Sequence, residues 1–381
     1  MGTPQAGYQP MFLTAESYHR LIEPPVESKP VLSIDRRVSL LPGPVDIAAN
    51  VRKAFNELTI SHRSDKFLEI HKDTRKLLCR LVNSKSVEIF TGSGTLANDV
   101  IAGQLTLSSA GGLVLSNGEF GERLISQAKR FGLSFETLSL DWGKVFDCDD
   151  VRKILQRSPD IRWLWAVHCE TSTGILNDAA GLKQVCKDNG TLLCLDCVSS
   201  IGTARVDLQD VHLASGVSGK ALAAFSGLCM VFYNHRPLPS DGTLPAYLDL
   251  AFYHAGNGVP FTLSSNLVYA LYTALKGFNL EGRLKQISGF SSQLRSGLRE
   301  IGLNLIVSEQ FANPFIITIS LPEGLHSVEI GAQLEDEGFF ISYKSSYLLR
   351  KNWIQICLMG EFSEETLKPL LKSFQRIFRS S

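Results

Sequence analysis

Between residues 86 and 234 the chain alternates short apolar runs with longer helical stretches. No other feature constrains the fold as much. SVEIF, GLVLSNG, FETLSL, IRWLWAVH, TLLCLD and GLCMVFYN have the texture of strands buried on both faces. Between them TLANDVIAGQL, FGERLISQAKRFG and AAGLKQVCKDNG read as helices, the last two ending at Gly. This order predicts an α/β fold, a doubly wound and mostly parallel sheet covered by helices on both faces. Right-handed crossovers bring the strand C-terminal ends, and the ligand crevice, to one edge. After a helical segment near 266–300 the texture changes. NPFIITISL, GFFISYK and NWIQICLMG read as strands, with helices at 326–337 and 363–378, which describes a small α+β unit. The expected organisation is an N-terminal arm over 1–40, a large domain over 41–275 and a small C-terminal domain over 276–381.

The charge balance narrows the function. With 38 basic and 38 acidic side chains in 381 residues, there is no electrostatic footprint for nucleic acid or an acidic membrane. No apolar run approaches the ~18 residues of a membrane span. The N-terminus lacks a signal-peptide pattern, and Ala6 stands where myristoylation wants Ser or Thr. Eight scattered cysteines fit reduced thiols in the cytoplasm. The CxxC pair Cys194 and Cys197 lies in an apolar run with no second pair to complete a zinc site, so buried thiols and no metal are expected. Small-molecule chemistry is the class that remains.

Three features fall at strand ends, where the crevice should lie. In FTGSGTLANDV (90–100) a strand, a Gly/Ser turn and a helix present backbone N–H groups to an anion. Gly92 and Gly94 allow close approach, and Ser93 and Thr95 add hydroxyls; a plain helix cap is the other reading. Asp196 ends the TLLCLD strand, where it serves either as an N-cap or as a carboxylate meeting a cation. Lys220 stands between a Ser/Gly run and an apolar segment; by itself it reads first as a surface turn residue at a helix start, and only second as a desolvated amine reactive towards carbonyls. Together, an anion cradle, a buried carboxylate and a reactive lysine meet the needs of pyridoxal 5'-phosphate (PLP): an anion site for its phosphate, an acid partner for its ring nitrogen and an amine for its aldehyde.

With those motifs in view, the sequence resembles the class V aminotransferases of the fold-type I PLP enzymes, which include alanine–glyoxylate, serine–pyruvate and 2-aminoethylphosphonate–pyruvate aminotransferases. The resemblance runs from LLPGPVDI (40–47) to ICLMG (356–360) through SHRSDKF, GSGTLA, LSNGEFGER, VHCETSTGIL, SGKAL and TLSSNLVYAL. NGEFGER and VHCETSTGIL look most like the aminoethylphosphonate branch. The resemblance implies that Lys220 carries PLP as a Schiff base and that Asp196 holds the ring nitrogen. It implies that Gly94 and Thr95 bind the phosphate, with the Ser93 hydroxyl beside them as a further cofactor contact, that Phe120 and Val198 enclose the ring, and that Ser172 reaches the ring hydroxyl. Ser218, beside the lysine, joins the cofactor contacts, with Glu170 and His168 behind them. Thr262 reaches the phosphate of the neighbouring subunit in a homodimer with shared active sites, and Gly43 lies near the substrate carboxylate.

Two positions depart from the family pattern. Gly219 stands where a Gln or Asn often helps hold the phosphate. Gln355 stands where an arginine pairs with the substrate's anion. Either Arg350 or Lys351 replaces that charge, or the substrate lacks an anion there. The expected activity is transfer of an amino group between a small, atypical amino compound and a 2-oxo acid or aldehyde. A PLP-dependent lyase or decarboxylase on the same scaffold is the alternative. A catalytically silent binding subunit is the third reading, against which the retention of Lys220 and Asp196 argues.

Overall fold

The computed structural model describes residues 37–379, so the arm expected over 1–40 lies almost wholly outside the described residues. Seven strands form the central sheet: β1 (Ser86–Gly92), β2 (Gly111–Ser116), β3 (Phe135–Ser139), β4 (Ile161–Val167), β5 (Leu192–Asp196), β6 (Leu213–Val217) and β7 (Gly227–Tyr233). Their spatial order is β1-β7-β6-β5-β4-β2-β3. Only β7 runs antiparallel to its neighbours. All six apolar runs picked out in the sequence are strands of this sheet. The seventh, β6, reads LASGV, and its Ser215 and Gly216 hide it from a hydrophobicity criterion. Gly216 is required there, because a Cβ would lie 2.9 Å from Ile201 and 3.0 Å from Phe232.

Strand periodicity sorts the core into two layers. Val87, Ile89, Leu113, Leu115, Leu164 and Leu193 face one side, with helices α1 (Asp65–Val82), α4 (Cys148–Arg157), α5 (Ala179–Asp188) and α6 (Ser265–Lys276). Phe90, Val114, Trp163, Trp165, Cys194 and Val231 face the other, under α2 (Gly94–Thr106) and α3 (Glu119–Arg130). With both faces covered, the strands need no polar alternation, and the six parallel strands all end at one sheet edge.

A second core lies in the C-terminal segment. There β8 (Asn304–Leu305), β9 (Ile316–Ser320) and β10 (Trp353–Cys357) form an antiparallel sheet, and α7 (Leu280–Glu300) and a helix over Glu364–Arg379 pack beside it. Val38–Leu40 pairs with Phe339–Ile341, and Leu40 and Val45 join this second core. The LPGP segment therefore leads out of the C-terminal core. Among the described residues no helix is long and apolar enough to cross a membrane.

Trp165 has no exposed surface and sits in the interior strand β4 under α2 and α3. Trp165→Ala is expected to lower stability by about 3–5 kcal/mol, measured from the denaturant midpoint. A loss under about 1 kcal/mol would show that this layer does not hold the sheet.

Candidate active site

The parallel strand ends and the loops after them line a cavity of about 410 Å³ whose walls include Gly94, Thr95, Phe120, Asp196, Val198 and Lys220. Two helix starts shape it. Ser93 stands at the N-cap of α2 with its carbonyl accepting from Leu96 and Ala97, and its hydroxyl makes no capping bond. The N-terminal dipole of α2 remains open to an anion. A Cβ on Gly94 would lie 2.7 Å from Val198, so only a glycine lets the start of α2 pack this closely against the loop after β5.

Asp196 is buried at the end of β5 and held from two sides: Asn98 donates to it at 2.7 Å and the backbone N–H of Val198 at 2.9 Å. Its carboxylate is thus fixed in direction before any ligand arrives. Asn98 Oδ1 is buried with no hydrogen-bond partner among the described residues. Asn98 was missed in the sequence, yet the signal existed: it lies one helical turn after Gly94, as a polar residue in an otherwise apolar helix face.

Lys220 follows β6. Its amine keeps some access through the cavity and is enclosed by protein on its other sides, and that burial lowers its pKa below the ordinary lysine value against the opposing pull of Asp196. Among the described residues no carboxylate lies within ion-pairing distance of Nζ. Nζ instead donates to Thr171 Oγ1 at 3.4 Å and lies 5.2 Å from the centre of the Phe120 ring. A buried amine without an ionic partner is a poor structural element and a good nucleophile. Gly43 closes one side of it: a Cβ there would stand 2.9 Å from Gly219 O and 3.4 Å from Lys220 Cγ.

Phe120 is set by Glu170, which has no exposed surface. Glu170 accepts from the N–H of Phe120 at 3.1 Å, of Gly121 at 3.0 Å and of Ser172 at 3.0 Å, and from the Ser172 hydroxyl at 2.6 Å. Burial pushes this carboxyl up while those four donors pull it down. The carboxylate caps α3 and so fixes the ring that its first turn carries.

Several of the expected residues stand outside the cavity wall. Ser172 is locked between Glu170 and the N–H of Glu119, the latter at 3.1 Å, and does not face the cavity. Its neighbour Thr171, unnoticed in the sequence, touches Lys220 instead. Ser218 donates to Phe225 O at 2.6 Å, closing the β6–β7 turn, and is not in the cavity wall. Thr262 is exposed and also stands outside that wall. Gln355 has no exposed surface; its amide donates to Thr171 O at 2.6 Å and Thr318 Oγ1 at 2.7 Å, which leaves no donor for a substrate at that position. Arg350 meets Glu119 at 3.4 Å and Lys351 lies 5.0 Å from the Trp142 ring, so both charges are engaged outside the cavity wall. Gly219 has no room for the Gln or Asn of the family pattern, because Ser226 fills that space. Cys194 and Cys197 are buried free thiols, as expected, and among the described residues no cluster has a metal-binding arrangement.

The class-V aminotransferase family model matches residues 46–240. The chain belongs to the class V aminotransferase family. Within it, a 2-aminoethylphosphonate–pyruvate transaminase from Pseudomonas entomophila is 29% identical over 311 residues, 75% of this chain and 82% of that one. A soluble hydrogenase 42 kDa subunit from Anabaena cylindrica is 30% identical over 305 residues, 76% of this chain and 79% of that one. The crystal structure of an aspartate aminotransferase from Thermus thermophilus superimposes with a TM-score of 0.81 at 27% identity, covering 90% of this chain and 99% of that one. The fold is thus that of the fold-type I PLP-dependent aminotransferases.

His168, next to the Asp196 strand, is buried with no partner for Nδ1 among the described residues, and burial lowers its pKa from 6.5 to about 4. The unfolded chain therefore binds more protons between those values, and stability falls as pH drops from about 6.5 to 4. The loss assigned to this residue is at most about 3 kcal/mol. His168→Leu is expected to flatten that part of the stability–pH curve, followed by denaturant midpoints; an unchanged slope would show that the ring is protonated in the folded protein.

Proposed function

We propose that the protein is a PLP-dependent aminotransferase that moves an amino group between a small amino compound and a 2-oxo acid or aldehyde. The observation that carries this reading is the pairing, across one cavity, of an unpaired lysine amine with a carboxylate pre-oriented by Asn98 and Val198. The residues present fit the cofactor. The cavity wall shared by Phe120 and Val198 suits a flat ring, the open start of α2 suits a phosphate, and the lowered pKa of Lys220 suits bonding to an aldehyde. When bound, PLP supplies that aldehyde and an electron-withdrawing ring. Asp196 holds a proton on the ring nitrogen, because an adjacent negative charge favours the protonated form. Phe120 and Val198 enclose the ring and exclude water from its faces. Lys220 would hold the cofactor by its amine and, as a free amine, would move a proton to and from the substrate's α-carbon.

The rest of the reading follows from the family. The protein works as a homodimer in which the exposed Thr262 reaches the partner's phosphate site, and its eight free cysteines fit the reducing cytoplasm. Because Gln355, Arg350 and Lys351 are all engaged elsewhere, the substrate carries a neutral or larger polar group where relatives with an arginine take an anion. Alanine, serine and 2-aminoethylphosphonate are then poor donors.

The test is to mix purified protein with a panel of amines and follow its absorption spectrum. Conversion of the yellow form to the pyridoxamine form, fastest with amines lacking a small anion, is the expected result. Release of pyruvate, sulfide or carbon dioxide without that conversion would make it a lyase or decarboxylase, and efficient turnover of alanine would refute the substrate argument. Asp196→Ala is expected to weaken cofactor binding and nearly abolish turnover, whereas Asp196→Glu keeps part of it. Wild-type turnover in Asp196→Ala would reduce this residue to a cap.

A further inference from the structure

We infer that Gln355 is a positioning residue, which fixes the Thr171–Ser172 turn against Lys220 and Phe120 and makes no contact with substrate. Four observations support this. The first is burial: the side chain has no exposed surface and does not line the cavity. The second is the use of its amide, whose Nε2 lies 2.6 Å from Thr171 O, 2.7 Å from Thr318 Oγ1 and 3.3 Å from Ser172 O. Thr318 Oγ1 in turn donates to Ser172 O at 3.3 Å, so β9 and β10 grip one turn together. The third is what the turn carries. The Thr171 hydroxyl meets Lys220 Nζ, and Ser172 binds Glu170, the carboxylate that caps the helix bearing Phe120. The fourth is backbone: Gln355 pairs with Thr318 in the sheet and with Ser342 across an isolated bridge, so its own position is tightly held.

Buried carbonyl oxygens need donors, and a side chain that supplies two at once fixes the loop as well as satisfying it. The turn has no regular secondary structure at Thr171–Ser172 to do this unaided. Glu170 holds it from the α3 side and Gln355 from the C-terminal sheet. A displacement at either side moves the hydroxyl that faces the amine.

This inference rests on the reading of Lys220 as the cofactor lysine, and its test separates the two. The holoenzyme and its Gln355→Leu, Gln355→Glu and Thr318→Val variants are titrated by absorption, and kcat and KM are measured for one carboxylate-bearing and one neutral amine. The Thr171 oxygen stabilises the protonated form of the Lys220 nitrogen, so loosening the turn lowers the pH midpoint of the cofactor band. In Gln355→Leu the midpoint is expected to fall by about half a pH unit or more. Its kcat should fall about 10–100-fold with both amines, with KM for each changed less than about threefold. Gln355→Glu is expected to resemble wild type at low pH, where its buried carboxyl is protonated and donates one hydrogen bond. It should approach Gln355→Leu as pH rises and the donor is lost. Thr318→Val shifts the midpoint the same way by less, which keeps the test intact if Gln355→Leu does not fold. An unchanged midpoint together with a KM raised about tenfold for the carboxylate amine alone would overturn the inference and make Gln355 a substrate contact. A wild-type protein with no chromophore on Lys220 would overturn both the inference and the function on which it rests.

Discussion

A lysine amine enclosed at the carboxyl edge of a parallel sheet, with no carboxylate in contact among the described residues, is the constraint on which the rest of this structure depends. Desolvation disfavours the ammonium form, and an ion pair would restore it at the cost of reactivity. The surroundings do the first and not the second. Asp196 is near enough to oppose the lowering of the Lys220 pKa, but Asn98 and the Val198 N–H hold its carboxylate. What Nζ meets directly is a hydroxyl and an aromatic face, weak partners that a covalent ligand displaces readily.

Keeping the amine in that state requires the elements around it to be stiff, since each belongs to a different part of the chain. LPGP arrives from the C-terminal core, Thr171 from the turn after β4, and Phe120 from the start of α3. Glu170 ties the last two together through four donors, and Gly43 and Gly94 set the clearances where any side chain would collide. The site is therefore assembled from loops, but each loop is fastened to a strand or a helix end, the arrangement that lets loops carry chemistry with fixed geometry.

Much of this was legible in the sequence, for identifiable reasons. Doubly buried strands are apolar throughout, so the runs from SVEIF to GLCMVFYN stood out, and right-handed crossovers determined which ends converge. Lys220 and Asp196 were conspicuous because charged residues are rare in such surroundings. Strand β6 was hidden because its burial is met by small residues, whose sequence looks like a loop. Thr171 and Ser172 could not be distinguished, because neighbours in an irregular turn point in different directions and no periodicity decides which faces inward. Gln355 was noticed only as a missing arginine. Its role as a brace depends on carbonyls brought to it from a turn more than 180 residues away, which no local pattern encodes.

The central claim is that the Lys220 amine is the group that holds the cofactor. Reduction of the purified protein with borohydride, followed by proteolysis and mass spectrometry of the lysine-containing peptides, addresses it directly. The account requires the reduced cofactor adduct on the peptide that contains Lys220, and its absence from Lys220→Ala protein that remains folded. An adduct on a different lysine, or none on protein that retains its fold, would contradict it.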